Sequence, residues 1–477
     1  MNIVLTIIHI LGLVTIGLSG LMGTCLFTSF IAQDGATEAF FQGTLITLLF
    51  GLLMFLPTIN TPKKVSRQAG FLLVAMTWSL SPIFCELPLL LYFSDLSFIN
   101  GYFETVSGLT TTGATIFSGI DNLPMSVNLW RHELNWIAGM GIIVFAVAVL
   151  PILGIGGMQL YKAETPGSVK ESDLPPRIAQ TAKTLWLVYA GFTMICIVAL
   201  KIAGMNWFDA VCHAFAAMSL GGFSTHDSSV GFFNSVSIEV VLSIFQLLAA
   251  INFATHFIAL RKQSLLPYIE DREARGFLLL VLSSCLVCAG VLFHNDTYPD
   301  FLTALRYASF NLITIATDCG FASTDFGQWP MFVPMWMLFL SCVSASSGST
   351  GGGIRMIRTI ILMKQARLEM FKFIHPNAIR PMKIGTHVVG NDIVTSVMGF
   401  IFLYFICIVI LVFTLLLSGM DFISAFSAII ACFNNAGPGL GQVGPATNYA
   451  SLSDFQTFVC AFAMLLGCLL YTSPSPR

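Results

Sequence analysis

The sequence predicts an all-α polytopic membrane protein with a fourfold internal repeat, and three observations carry that prediction. The 477 residues are 56% hydrophobic and only 10% charged, with mean hydropathy +0.83, whereas soluble domains hold about 25% charged residues. Long apolar stretches recur from end to end of the chain. Four glycine-centred loops return between them. No soluble domain fits, and no nucleic-acid partner is expected.

Each apolar stretch can be judged against the roughly 20 residues that cross a bilayer. They fall near 3–30, 38–57, 70–93, 134–158, 184–204, 235–260, 276–294, 331–354, 393–419 and 455–470. The first resembles a signal-peptide core, but it is long and lacks a small-residue cleavage site, so it reads as a retained helix. Eighteen of the 22 Lys and Arg residues lie in four connectors: Lys63 to Arg67, Lys162 to Lys183, Arg261 to Arg275, and Arg355 to Lys383. Segments 95–130, 224–239 and 438–454 contain none. By the positive-inside rule the basic connectors are cytoplasmic and the bare segments face outward, which puts the N-terminus in the cytoplasm. The twelve Cys residues show no paired metal-ligand spacing and read as buried thiols.

Between successive basic connectors one unit returns: an apolar span, a short amphipathic segment, a glycine loop and a second span. The loops read Thr-Thr-Thr-Gly-Ala-Thr around Gly113, Ser-Leu-Gly-Gly-Phe-Ser-Thr around Gly222, Thr-Asp-Cys-Gly-Phe-Ala-Ser-Thr around Gly320, and Asn-Asn-Ala-Gly-Pro-Gly around Gly437. Phe98, Phe208 and Phe422 lie 14 or 15 residues before their glycines, with Leu305 in that place in the third unit. A segment of about 12–14 residues is too short to span and suits a re-entrant helix. Its C-terminal end aims a partial negative charge at the membrane centre. One glycine loop alone would be an ordinary turn. Four in register, after similar half-helices, predict a narrow cation path lined by backbone carbonyls. Asp121, Asp227 and Asp325 follow the loops and could gather cations at the mouth; solvated loop acids are the plainer reading for each. Asp318 sits two residues before Gly320, where a structural hydrogen bond is as good a reading as a filter role.

A different glycine run interrupts the stretch 331–354, reading Ser-Ser-Gly-Ser-Thr-Gly-Gly-Gly from Ser346 to Gly353. Each Gly costs a helix about 1 kcal/mol against Ala. A helix broken inside a bilayer must face protein or a water-filled path.

These motifs make the chain resemble the TrkH-type membrane subunits of the Trk and Ktr potassium-transporter superfamily. The resemblance runs to about Gly467 and rests on Leu109 to Ala114, Gly221 to Asp227, Asn434 to Gly439, and Gly348 to Ile354. It implies two extra N-terminal helices (1–62) and four helix–pore-loop–helix repeats around a pseudo-fourfold ion pathway (63–160, 161–263, 264–375 and 376–470). It implies potassium uptake across a bacterial inner membrane, with a filter at Thr111, Thr112, Gly113, Gly221, Gly222, Cys319, Gly320, Ala436 and Gly437. An intramembrane gate would comprise Ser346, Ser347, Gly348, Ser349, Thr350, Gly351, Gly352 and Gly353. The transported ligand would be K⁺, and the partners a second copy of the chain, membrane lipid and a cytosolic TrkA-like ring. Nucleotide would act only through that ring. The chain departs from the family at Cys468, where a basic residue is usual. Pro474 and Pro476 cut the last span to about 15 residues, and 471–477 reads as a non-native tail.

Two other classes compete. An enzyme would use Ser347 to Arg355 as a phosphate loop, but the Gly-Lys-Ser/Thr ending is missing and no βαβ unit surrounds it. A symporter with alternating access should show inverted repeats, whereas each repeat here begins on the basic side. Coupling to H⁺ or Na⁺, or a less selective monovalent cation channel, stays open at this level.

Overall fold

The computed structural model describes residues 2–60, 67–152, 174–343, 345–375, 381–384 and 387–471, and their regular structure is almost wholly helical. Each of the ten predicted stretches overlaps a helix or a broken helix, with 153–158 of the fourth lying outside the described residues. A hairpin of Asn2–Ala32 and Thr37–Phe55 comes first. Its helices touch at Gly12 and Gly51, where β-carbons would meet the facing backbone at 2.8–3.0 Å. Asp34 in the turn accepts the Ser126 N–H at 2.9 Å and so pins the hairpin to the first repeat.

The first repeat runs through Arg67–Cys85 and Leu87–Tyr92, the short helix Phe98–Leu109, and Met125–Ile152. The second holds Leu174–Ile202, Trp207–Ser219 and the pair Val236–Ala249 and Phe253–Lys262. The third holds Arg272–His294, Phe301–Ala316, Phe332–Cys342 and Met356–Ile374. The fourth holds Asn391–Leu417, Phe422–Asn434 and Asp454–Tyr471. A two-residue antiparallel ladder, Lys383–Ile384 with His387–Val388, precedes the fourth.

Three expectations need correction. The stretch 235–260 is not one helix: it bends by 96° after Ala249. Asn252 causes a restart there, accepting the Ala254 N–H at 2.9 Å as the cap of a new helix. The third re-entrant helix has 16 residues, longer than predicted. The last helix has 18 residues, because it starts at Asp454 and reaches Tyr471. Residues 472–477, most of the segment read as a tail, lie outside the described residues, as do Lys63, Lys64, Lys162, Lys170 and Arg380. None of the twelve cysteines is in a disulfide, and ten of them are buried. Helix faces turned away from the bundle, such as Phe402, Phe413 and Leu417, are apolar and exposed, as lipid contact requires.

Candidate ion pathway

Four re-entrant helices are built to one plan. Ser97, Asn206, Asp300 and Asp421 cap them, each side chain accepting the N–H three residues on. Such a cap is worth about 1 kcal/mol. The Ser424 N–H holds the Asp421 carboxyl below the ordinary carboxylate range, so this cap persists at neutral pH and weakens only as pH falls through that depressed value. The first helical residue is aromatic throughout: Phe98, Trp207, Phe301 and Phe422. These, not Phe208 and Leu305, are the equivalent positions. Phe301 lies four residues further from its glycine than the others, which is the extra turn of the third helix.

The helices end alike as well. The N–H groups of Thr112, Gly221, Cys319 and Ala436 each return to the carbonyl five residues back, all at 2.8 Å, the closing bond of a Schellman turn. That turn needs left-handed backbone, supplied by Thr111, Leu220, Asp318 and Asn435 at φ 53–60°. The glycines follow with φ of 77° at Gly113, 66° at Gly222, 91° at Gly320 and 86° at Gly437.

Beyond the helix ends the four loops close into a ring. A β-carbon on Gly113 would overlap the Gly221 carbonyl oxygen, and one on Gly222 would overlap that of Cys319. Gly320 faces the Ala436 oxygen in the same way, and Gly437 faces that of Thr112. Each glycine thus abuts the carbonyl just before the next one, in chain order, and the fourth meets the first. The side chains turn away from the centre. Thr112 Oγ1 takes a hydrogen bond from Asn435 Nδ2 at 2.8 Å, and Cys319 Sγ faces the Ala216 carbonyl. Carbonyl oxygens are left to line the ring. Of the residues predicted for a filter, eight meet in it, and Thr111 forms the turn leading into it.

A small funnel of about 80 Å³ opens above the ring, lined by Gly113, Gly222, Gly320 and Gly437 together with Arg131 and later residues of the loops. Of the three acids predicted at the mouth, only Asp227 lines it. Asp227 accepts the Gly119 N–H at 3.0 Å, Asp121 bonds to His226, and Asp325 accepts the Gly327 N–H at 3.0 Å. Their oxygens hold the loops together instead of standing as a free charged ring.

The stretch 345–355 runs without helix beneath this assembly, and Ser346 to Gly353 lies wholly within it. It is wedged into the 96° bend of the second repeat. Ser346 N–H donates to the Ala250 carbonyl at 2.9 Å, and the Gly348 carbonyl accepts the Phe253 N–H at 3.2 Å. Ser347 N–H donates to Glu273 at 2.8 Å. The two breaks therefore satisfy one another's backbone, which a membrane interior demands. Thr350 Oγ1 reaches the Met218 carbonyl at 3.2 Å, near the end of the second re-entrant helix. Just before the loop, Ser341 and Cys342 contact Asn434 at the end of the fourth. Second and fourth are opposite corners of the ring. Past the loop, Arg355 and Arg358 are 6% and 1% exposed, and the Arg358 guanidinium stacks 3.8 Å from Phe400. Neither adds to an open basic face. Cys468 is buried against Trp78.

A family model described as TrkH, cation transport protein, matches residues 36–473. The chain belongs to the TrkH family of cation transport proteins. It is 41% identical over 464 residues to the Trk system potassium uptake protein TrkH of Halomonas elongata, covering 97% of this chain and 96% of that one. The Escherichia coli K12 protein of the same name is 39% identical with the same coverage. The crystal structure of the potassium transporter TrkH from Vibrio parahaemolyticus superposes with a TM-score of 0.90 at 37% identity, covering 98% of this chain and 96% of that one. This is a family of multi-pass membrane transporters, not of enzymes. Two parts of this TrkH-family site escaped the sequence reading. Asn252 sits in an apolar run with no glycine or proline beside it, so nothing local marked the bend. Arg131 and Glu104, whose side chains meet at 2.8 Å beside the ring, are single charges on different helices, and no spacing rule pairs residues so far apart.

Proposed function

We propose that the chain carries K⁺ into a bacterial cell through the glycine-loop ring, acting as the filter. The observation that supports this most is the cyclic order in which each glycine abuts the next loop's carbonyl. Converging helix ends place partial negative charge there, and carbonyls can replace an ion's water shell. The repeats divide at 62, 160, 263 and 375, with the first 62 residues as an added hairpin. Ser346 to Gly353 serves as the gate under the filter. The N-terminus and basic connectors face the cytoplasm of the inner membrane. Two copies assemble, and a cytosolic TrkA-like ring that binds nucleotide governs the gate. The test is growth of an uptake-deficient bacterium in low K⁺, with and without such a ring. Rescue is expected with it. Failure to rescue by protein present in the membrane beside its ring would sink the proposal.

The docking face follows from the basic residues left on Met356–Ile374 and beyond. Lys364, Arg367, Lys372 and Lys383 remain there once Arg355 and Arg358 are set aside, with Lys372 paired to Glu369 at 3.0 Å and Lys364 Nζ on the Lys383 carbonyl. Reversing Arg367 and Lys372 to Glu is expected to weaken co-purification with a TrkA-like ring by about tenfold, while dimers still form. Undiminished binding at low and moderate salt would leave these charges to lipid and topology alone.

A further inference from the structure

Beside the ring lies a buried ion pair that joins two loops. Arg131 is on Met125–Ile152 and Glu104 on the first re-entrant helix; both side chains are 1% exposed. Arg131 Nε donates to Glu104 Oε1 at 2.8 Å. Its Nη2 donates to Thr115 Oγ1 at 3.1 Å, and its Nη1 to the Ser224 carbonyl at 3.3 Å and Asn128 Oδ1 at 3.2 Å. The guanidinium carbon sits 4.3 Å from the Phe223 ring centroid. Glu104 in turn accepts from Thr115 Oγ1 at 3.0 Å and from the Ile116 N–H at 2.9 Å. Thr115 and Ile116 follow Gly113 closely, and Phe223 and Ser224 directly follow Gly222. One guanidinium thus grips the outgoing chain of both loops.

We propose that Arg131 is a selectivity-determining positioning residue, whose guanidinium sets the spacing of the first and second filter loops. The inference rests on the filter reading above. Three features of the chemistry support it. The planar fork of Arg reaches Glu104, Thr115 and Ser224 at once, which a Lys ammonium on a flexible stem cannot match. Glu104 cancels the positive charge, so a cation path can tolerate an arginine in its wall; unpaired, it would repel the ion. Two of the other seams are crossed by neutral bonds. Between the fourth and first loops, Tyr449 N–H meets the Thr115 carbonyl at 2.9 Å; between the second and third, Gly231 N–H meets that of Ala322 at 3.1 Å. The spacing at the first seam is therefore held by a charged group whose geometry can be altered without touching a filter residue.

The test measures K⁺ and Na⁺ influx by the full chain in proteoliposomes for Arg131→Lys, Thr115→Val and Gly222→Ser. Arg131→Lys is expected to lower the K⁺-over-Na⁺ ratio about tenfold, the effect of losing one charge-assisted hydrogen bond. Thr115→Val keeps every charge and should lower it about threefold. A merely structural arginine would lower thermal stability and both fluxes in proportion, leaving the ratio alone; that result overturns the proposal. So does a ratio within about twofold of the parent in Arg131→Lys when Gly222→Ser destroys it. If Arg131→Lys does not fold, Thr115→Val decides, and an unchanged ratio rejects the role. An unchanged ratio in Gly222→Ser as well would reject the filter reading, and the role of Arg131 with it.

Discussion

Serine in place of Gly113, Gly222, Gly320 or Gly437 is expected to cut the preference for K⁺ over Na⁺ by on the order of tenfold or more, measured as influx ratios in proteoliposomes. Two physical costs combine. Left-handed backbone costs a residue with a β-carbon about 1–2 kcal/mol, and Gly320 and Gly437, at φ 91° and 86°, lie beyond the ordinary left-handed well. The second cost matters more for function. Each new β-carbon would occupy space already held by the next loop's carbonyl, so the ring must widen at that seam. Gly419 separates the two effects. Its φ is 88°, nearly that of Gly437, yet a β-carbon there meets nothing within 4 Å. Gly419→Ser should strain the backbone equally and leave selectivity intact. If three of the four ring variants kept the parental ratio, the carbonyl ring would not be the filter.

Shortening the loop under the ring should have the second large effect. Removing Gly348 to Gly351 is expected to raise K⁺ flux without the cytosolic ring by about tenfold, which requires a shift of only about 1.4 kcal/mol between closed and open states. The loop holds its place through backbone bonds to Ala250 and Phe253 and through Thr350 on Met218. A gentler variant, Gly348→Ala, attacks the same contact. Gly348 has φ 80°, and its added methyl would come within 2.7 Å of Asn252 Oδ1, prising the loop from the bend. Its basal flux should rise by a smaller factor. Unchanged or abolished flux in both correctly folded variants would remove the loop from gating.

Much of this architecture was legible because its signals are local. A run of apolar residues reveals a span by length alone, and a glycine at a fixed distance from an aromatic marks the end of a half-helix. The run from Ser346 to Gly353 advertised its own break. Where signals were weaker, the reading slipped by small amounts. Phe208 stood in for Trp207 because both rings adjoin in sequence and only the Asn206 cap distinguishes them. Phe301 lies off the common spacing because the third helix carries an extra turn, which leaves Leu305 at the matching distance. A count of basic residues over Arg355 to Lys383 cannot tell which are exposed: Arg358 stacks on Phe400, from a helix after it in the chain.

By itself, then, the sequence determined the membrane class, the spans, the four glycine turns and the break in the third repeat. These depend on composition and on backbone preferences that a residue expresses with its immediate neighbours. Only the tertiary structure decided that Gly437 meets the Thr112 carbonyl, that Arg131 grips Ser224, and that a second break at Ala250 receives the loop of the third repeat. Those pairings join segments dozens to hundreds of residues apart, where no periodicity reaches. They exist because a buried backbone group or charge in a membrane must find a partner, and which partner depends on how the helices pack.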